Sequence, residues 1–132
     1  MQQGEQRPEQ ASRPGDGVPP PTPYARTHRR GGAVVVELRG EIDLGSAGQV
    51  DPHLTAAALW PQPLLVVLDL GAVEFIDCYG LSLLVRARHQ VLDNGGRVRM
   101  VCVHRPTRKL LALTGLDGLF HPVRTLDEAL LP

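Results

Sequence analysis

Leu64–Leu68 is an uninterrupted apolar run as long as any in the chain, and the segment continues to Leu70. Pro61 and Pro63 close it on one side and Gly71 on the other. It is far shorter than the roughly 18 apolar residues of a membrane span. An apolar run of this length between breakers reads as a strand buried on both faces. Strands covered on both faces belong to parallel or mostly parallel sheets, because the crossover helices pack on them. This one segment therefore directs the chain towards an α/β fold.

The flanking pattern agrees. Tyr24–His28 reads as a short edge strand that turns at Arg30-Gly31-Gly32, and Ala33–Leu38 is β-branched and apolar. Gly40-Glu41-Ile42-Asp43 ends that strand. Ser46–Leu59 reads as a helix rich in strong formers. Pro52 leaves two possibilities, an irregular first turn or a start at Pro52 capped by Asp51. After Phe75-Ile76-Asp77 the apolar period becomes helical through Leu81, Leu84, Val85 and Leu92, with Asn94-Gly95-Gly96 as the stop. Val98–Val103 is the next strand, Pro106–Leu113 a helix and Leu119–Val123 a short strand. Thr125 starts a last helix, with Glu128 at the capping-box spacing. The expectation is one α/β domain: a mixed, mostly parallel sheet of 4–5 strands with about four helices.

The length of 132 residues suits one domain, and 42% hydrophobic residues suffice for one core. Residues 1–22 are Gln, Glu, Arg, Gly and Pro with almost nothing to bury, and read as a disordered N-terminal tail ahead of a domain over 23–132. The 14 Lys+Arg balance the 14 Asp+Glu, so the footprint that neutralises phosphates in nucleic-acid binders is missing. Two cysteines, Cys78 and Cys102, are too few for a disulfide scaffold. The N-terminus has no apolar stretch behind its charges, so no secretory signal is read and the cytoplasm is the expected compartment.

No enzyme constellation is legible. The five histidines stand at no metal-ligand spacing to one another or to a cysteine. There is no GxSxG elbow, no GxxxxGK[ST] and no GxGxxG. No catalytic residue, metal or cofactor is expected.

One junction differs. Asp77-Cys78-Tyr79-Gly80 follows a strand and opens a helix, and α/β sheets meet ligands and partners at the carboxyl ends of their strands. Asp77 suits the N-cap of that helix. Asp43 also follows a strand and should share the same edge, either as part of an acidic lip or as the cap of the turn into the first helix.

Gly40-Glu41-Ile42-Asp43, Leu68-Asp69-Leu70, Phe75-Ile76-Asp77-Cys78-Tyr79-Gly80-Leu81, Asn94-Gly95-Gly96, Leu113-Thr114-Gly115-Leu116 and Asp127-Glu128-Ala129-Leu130, in this order, resemble a STAS domain. The resemblance covers residues 24–132 and is greatest to bacterial anti-sigma factor antagonists. It implies a partner, an anti-sigma factor, often a serine kinase of the GHKL-ATPase type. It implies a docking surface at Asp43, Asp77, Cys78, Tyr79, Gly80 and Ser82, with Arg86 and His89 on the outward face of the following helix. It also implies an off-switch, phosphorylation of a Ser or Thr just after the motif aspartate. Here that phosphoacceptor position is Cys78 and the next residue is Tyr79, so the expectation is an antagonist without its usual switch. Alternatives are redox control through Cys78, or a scaffold or small-ligand STAS protein. Monomer or weak homodimer is expected, the edge strand near Tyr24–His28 being the surface for self-pairing.

Overall fold

The computed structural model describes residues 17–61 and 65–132; residues 1–16 of the tail expected over 1–22, and Leu64 of the central run, lie outside that range. The sheet has four strands in the order β1 (Ala25–Arg30), β2 (Ala33–Ile42), β3 (Leu65–Ile76) and β4 (Arg97–Val101). The β1–β2 pair is antiparallel, joined at Gly31-Gly32, and β2–β3 and β3–β4 are parallel. Helices α1 (Ala47–Ala58) and α2 (Cys78–Asp93) form the crossovers. α3 (Arg105–Leu113), the single-turn α4 (Asp117–Phe120) and α5 (Leu126–Ala129) follow β4.

The sheet is buried on both faces, as its apolar run requires. On one face Val34, Val36, Leu38, Val66, Leu68 and Met100 meet Val50 and Leu54 of α1, Leu81 and Leu84 of α2, and Leu111 of α3. On the other, Ala33, Val35, Leu65, Val67 and Val101 pack under Ala129, with Leu126 and Leu130 alongside.

Several expectations are corrected. β3 does not stop at Gly71 but runs to Ile76, and β2 runs to Ile42; two register shifts between them accommodate the extra residues of β3. The residues named as a fifth strand, Leu119–Val123, instead contain α4, and only Val123 makes a single parallel bridge to Val101. Phe120, which this turn carries, is buried in the larger core. Val103 lies beyond β4 and is exposed. Helix α1 starts at Ala47 rather than Pro52. Pro52 removes the hydrogen bond to the Gly48 carbonyl, which an exposed Gly48 leaves open to water. Ser46 stands at the N-cap position of α1, but its hydroxyl makes no cap bond; it donates to the Glu41 carbonyl instead.

The body begins before residue 23. The Thr22 hydroxyl accepts from the N–H groups of Tyr24 and Ala25, and the Pro20 carbonyl faces Nε2 of His53 at 3.0 Å. His53 is buried, and its Nδ1 lies 2.7 Å from the Thr27 hydroxyl. Burial pushes its pKa below 6.5, with the Pro20 carbonyl pulling the other way.

Candidate functional site: the rim between β3 and α2

The register aligns Ile42 with Ile76, so Asp43 and Asp77 leave the sheet side by side at the carboxyl ends of β2 and β3. The chains stay tied there, since Asp77 N–H donates to the Ile42 carbonyl at 3.3 Å. Asp77 adopts an extended conformation and its Oδ1 accepts from Gly80 N–H at 2.8 Å, as an N-cap should. Among the described residues, the N–H groups of Cys78 and Tyr79 have no acceptor, which leaves the positive end of α2 open at the rim.

Gly80 seats the helix. A Cβ there would fall 2.5 Å from the Ile42 carbonyl oxygen and 2.7 Å from Ile76 Cγ1. The first turn of α2 therefore lies directly on the strand ends, and Cys78 and Tyr79 are turned outwards. Both are exposed, Tyr79 by 45%. Ser82 is also exposed, one turn into the helix, and its hydroxyl is engaged with the Tyr79 carbonyl at 2.6 Å.

Asp43 is half-buried and organises its own turn. Its Oδ1 accepts from Ser46 N–H at 3.2 Å, and its N–H donates to the Ser46 hydroxyl at 3.1 Å. Its carboxylate thus caps the loop into α1, the second of the two roles foreseen for it. Leu44 beside it is 70% exposed, and Phe75, just before Ile76, is 48% exposed. Neither was named from the sequence. A large exposed apolar residue is a signal only once its exposure is known, although Phe75 falls within the quoted Phe75–Leu81 motif.

Alongside the rim runs a largely apolar groove of about 410 Å³, lined by Cys78, Leu81, Ser82, Val85, Arg86, His89, Thr114 and Leu116. Thr114 and Leu116, in the turn after α3, were also missed, being brought there from far along the chain. Arg86, placed on the docking face by the sequence, is ion-paired with Asp51 of α1 at 2.8 Å. An exposed pair like this adds little to stability, but it orients Arg86 along the α1–α2 seam.

Cys102 is the opposite of Cys78. It is buried, and desolvation pushes its thiol pKa up. Among the described residues no group of three or more His, Cys, Asp or Glu could hold a metal ion, and no helix is long and apolar enough to cross a membrane.

The rim is thus a platform of mixed polar and apolar surface. The family model of the STAS domain matches residues 24–129. The chain is 34% identical over 101 residues to the anti-sigma-F factor antagonist RsfB of Mycobacterium tuberculosis, a match covering 75% of this chain and 80% of that protein. The anti-sigma F factor antagonist of Paenibacillus polymyxa is 29% identical over 89 residues, covering 67% and 75%. The crystal structure of an anti-sigma factor antagonist from Mycobacterium paratuberculosis superposes with a TM-score of 0.74 at 33% identity, covering 81% of this chain and 90% of that one. The four-stranded mixed sheet and its helices are those of a STAS domain, and the chain belongs to the STAS-domain family.

Proposed function

We propose that this protein is an anti-sigma factor antagonist that docks an anti-sigma factor, of the serine-kinase, GHKL-ATPase type, on the rim formed by Asp43, Asp77, Cys78, Tyr79, Gly80 and Ser82. It acts by partner switching in the cytoplasm, freeing a sigma factor without contacting DNA itself. The observation that carries the reading is the outward display of Cys78 and Tyr79 on a turn fixed by the Asp77 cap and the Gly80 contact, with Leu44 and Phe75 exposed beside it. Exposed aromatic and apolar side chains around a rigid centre are what a protein interface uses as anchors. The names of the similar proteins point the same way. Leu44 and Phe75 join the docking set by the same exposure.

Cys78 sits at the position where the family's resemblance puts the phosphorylated hydroxyl. A thiol is not an ordinary serine-kinase substrate, and the Ser82 hydroxyl is already engaged with the Tyr79 carbonyl. On this reading docking persists while the phosphate, worth about two negative charges at the interface, is never added.

The test is calorimetry of the full chain against each anti-sigma factor of the same genome. One of them binds, and Tyr79→Ala weakens that binding about tenfold or more. A folded chain that binds none of them overturns the reading. Incubation of the complex with ATP followed by mass spectrometry leaves the wild type unmodified, whereas Cys78→Ser takes up phosphate. Stoichiometric phosphate anywhere in Asp77–Ser82 of the wild type overturns the loss of the switch. Sedimentation of the free chain should give a monomer or a weak homodimer.

A further inference from the structure

The end of the sheet away from Cys78 carries a second concavity. One row of the sheet register runs Arg30, Ala33, Leu65, Arg97 across all four strands. Residues paired in this way point to the same face, here the face covered by α5, where Ala33 and Leu65 are buried. With strands about 4.8 Å apart, the two edge arginines start about 14 Å from each other, with a buried apolar floor between them. Above that floor lies an open cavity of about 720 Å³, bounded by Arg30, Arg97, Leu65, Leu130 and the turns Gly31-Gly32 and Gly95-Gly96. Gly31 and Gly95 have φ of 61° and 85°, so their turns favour glycine and the walls carry no side chains there. Among the described residues, no carboxylate lines the cavity. Among the described residues neither arginine has a salt bridge or a side-chain hydrogen bond, whereas Arg26, four residues before Arg30 on the same face of β1, is paired with Glu37 at 3.1 Å.

We infer that this cavity is a binding site for an organic anion: an oxyanion such as a phosphate monoester held between the guanidinium groups of Arg30 and Arg97, with an apolar body resting on Leu65 and Leu130. Guanidinium groups suit this ligand class because their planar array of donors matches paired oxyanion acceptors, and two of them share one phosphate dianion without a competing carboxylate. The apolar floor adds a contribution that inorganic phosphate cannot use. The site lies at the other end of the strands from the rim and does not depend on the docking proposal.

The experiment is an NMR titration of the full chain with hexyl phosphate and, separately, inorganic phosphate. Hexyl phosphate shifts the amide signals of Gly31, Gly32, Gly95 and Gly96 saturably and leaves those of Cys78 and Tyr79 in place. Inorganic phosphate binds about tenfold more weakly or worse, lacking the apolar body. Arg30→Gln and Arg97→Gln, both at exposed positions, each weaken hexyl phosphate about tenfold, and the double variant abolishes saturation while its spectrum stays folded. Absence of saturation in the wild type overturns the site. So do equal affinities for the two probes, which reduce it to loose charge attraction, and an unchanged affinity in the folded double variant.

Discussion

A single hydrogen atom at residue 80 lets helix α2 sit on the strand ends. The atoms that a Cβ would meet there include a backbone carbonyl, which cannot rotate away. Gly80→Ala gains about 1 kcal/mol of helix propensity but loses about 3 kcal/mol to overpacking, a net destabilisation of about 2 kcal/mol seen as a lower denaturation midpoint. Gly48→Ala is the control. It lies in α1 with nothing within 4 Å of its Cβ, and should raise stability by about 0.5–1 kcal/mol. Asp77→Ala should cost about 1 kcal/mol through the lost cap, and Asp77→Asn far less. At His53 a carbonyl can only accept, so Nε2 carries the proton towards Pro20 and Nδ1 accepts from the Thr27 hydroxyl. Because burial holds its folded pKa below the ordinary 6.5, the unfolded chain binds a proton that the folded one refuses at pH values between the two. Stability is therefore full above about pH 6.5 and falls as the pH drops towards the folded pKa. Urea midpoints at pH 7.5 and 5.5 should separate for the wild type, and by a smaller margin for His53→Gln.

At the scale of elements, local pattern and tertiary pairing divide the work. The capping box of α5 was legible as Thr125 and Glu128 three residues apart, and both of its reciprocal bonds form. It stabilises an element of only four residues, so α5 persists because Ala129, Leu126 and Leu130 cover Val35 and Val67. Thr125→Ala should cost about 1 kcal/mol, with faster amide exchange at Ala129 and Leu130 ahead of the rest of the chain. The extension of β3 past Gly71 was not legible. Residues 72–76 bury only Val73 and Ile76, a three-residue spacing that strand alternation would not give and that goes with the two register shifts against β2, and nothing within the segment announces a bulge. Leu119–Val123 misled for the converse reason. Its apolar character suits a strand, but burying Phe120 against the main core takes a helical turn, ended by His121 at φ 47°.

Across the whole molecule the two thiols report opposite situations. Cys78 is exposed at the rim and Cys102 is buried with a raised pKa. A maleimide should label Cys78 about a hundredfold faster or more, and sub-denaturing urea should accelerate only Cys102, which reacts through opening of the core. Equal rates for the two would contradict the burial of residue 102. The mostly parallel sheet, the strand–helix junction at Asp77 and its cap could be read from the chain because each depends on neighbours within one helical turn or one apolar run. The display of Tyr79 beside Leu44 and Phe75, the groove completed by Thr114 and Leu116, and the convergence of Arg30 and Arg97 could not. Those depend on the order and register of four strands, which bring together residues tens of positions apart. The sequence by itself determined the kind of layers and the turn that ends β3. Tertiary structure alone decided which side chains the packing left at the surface, because burial is a property of the assembled sheet and not of any segment within it.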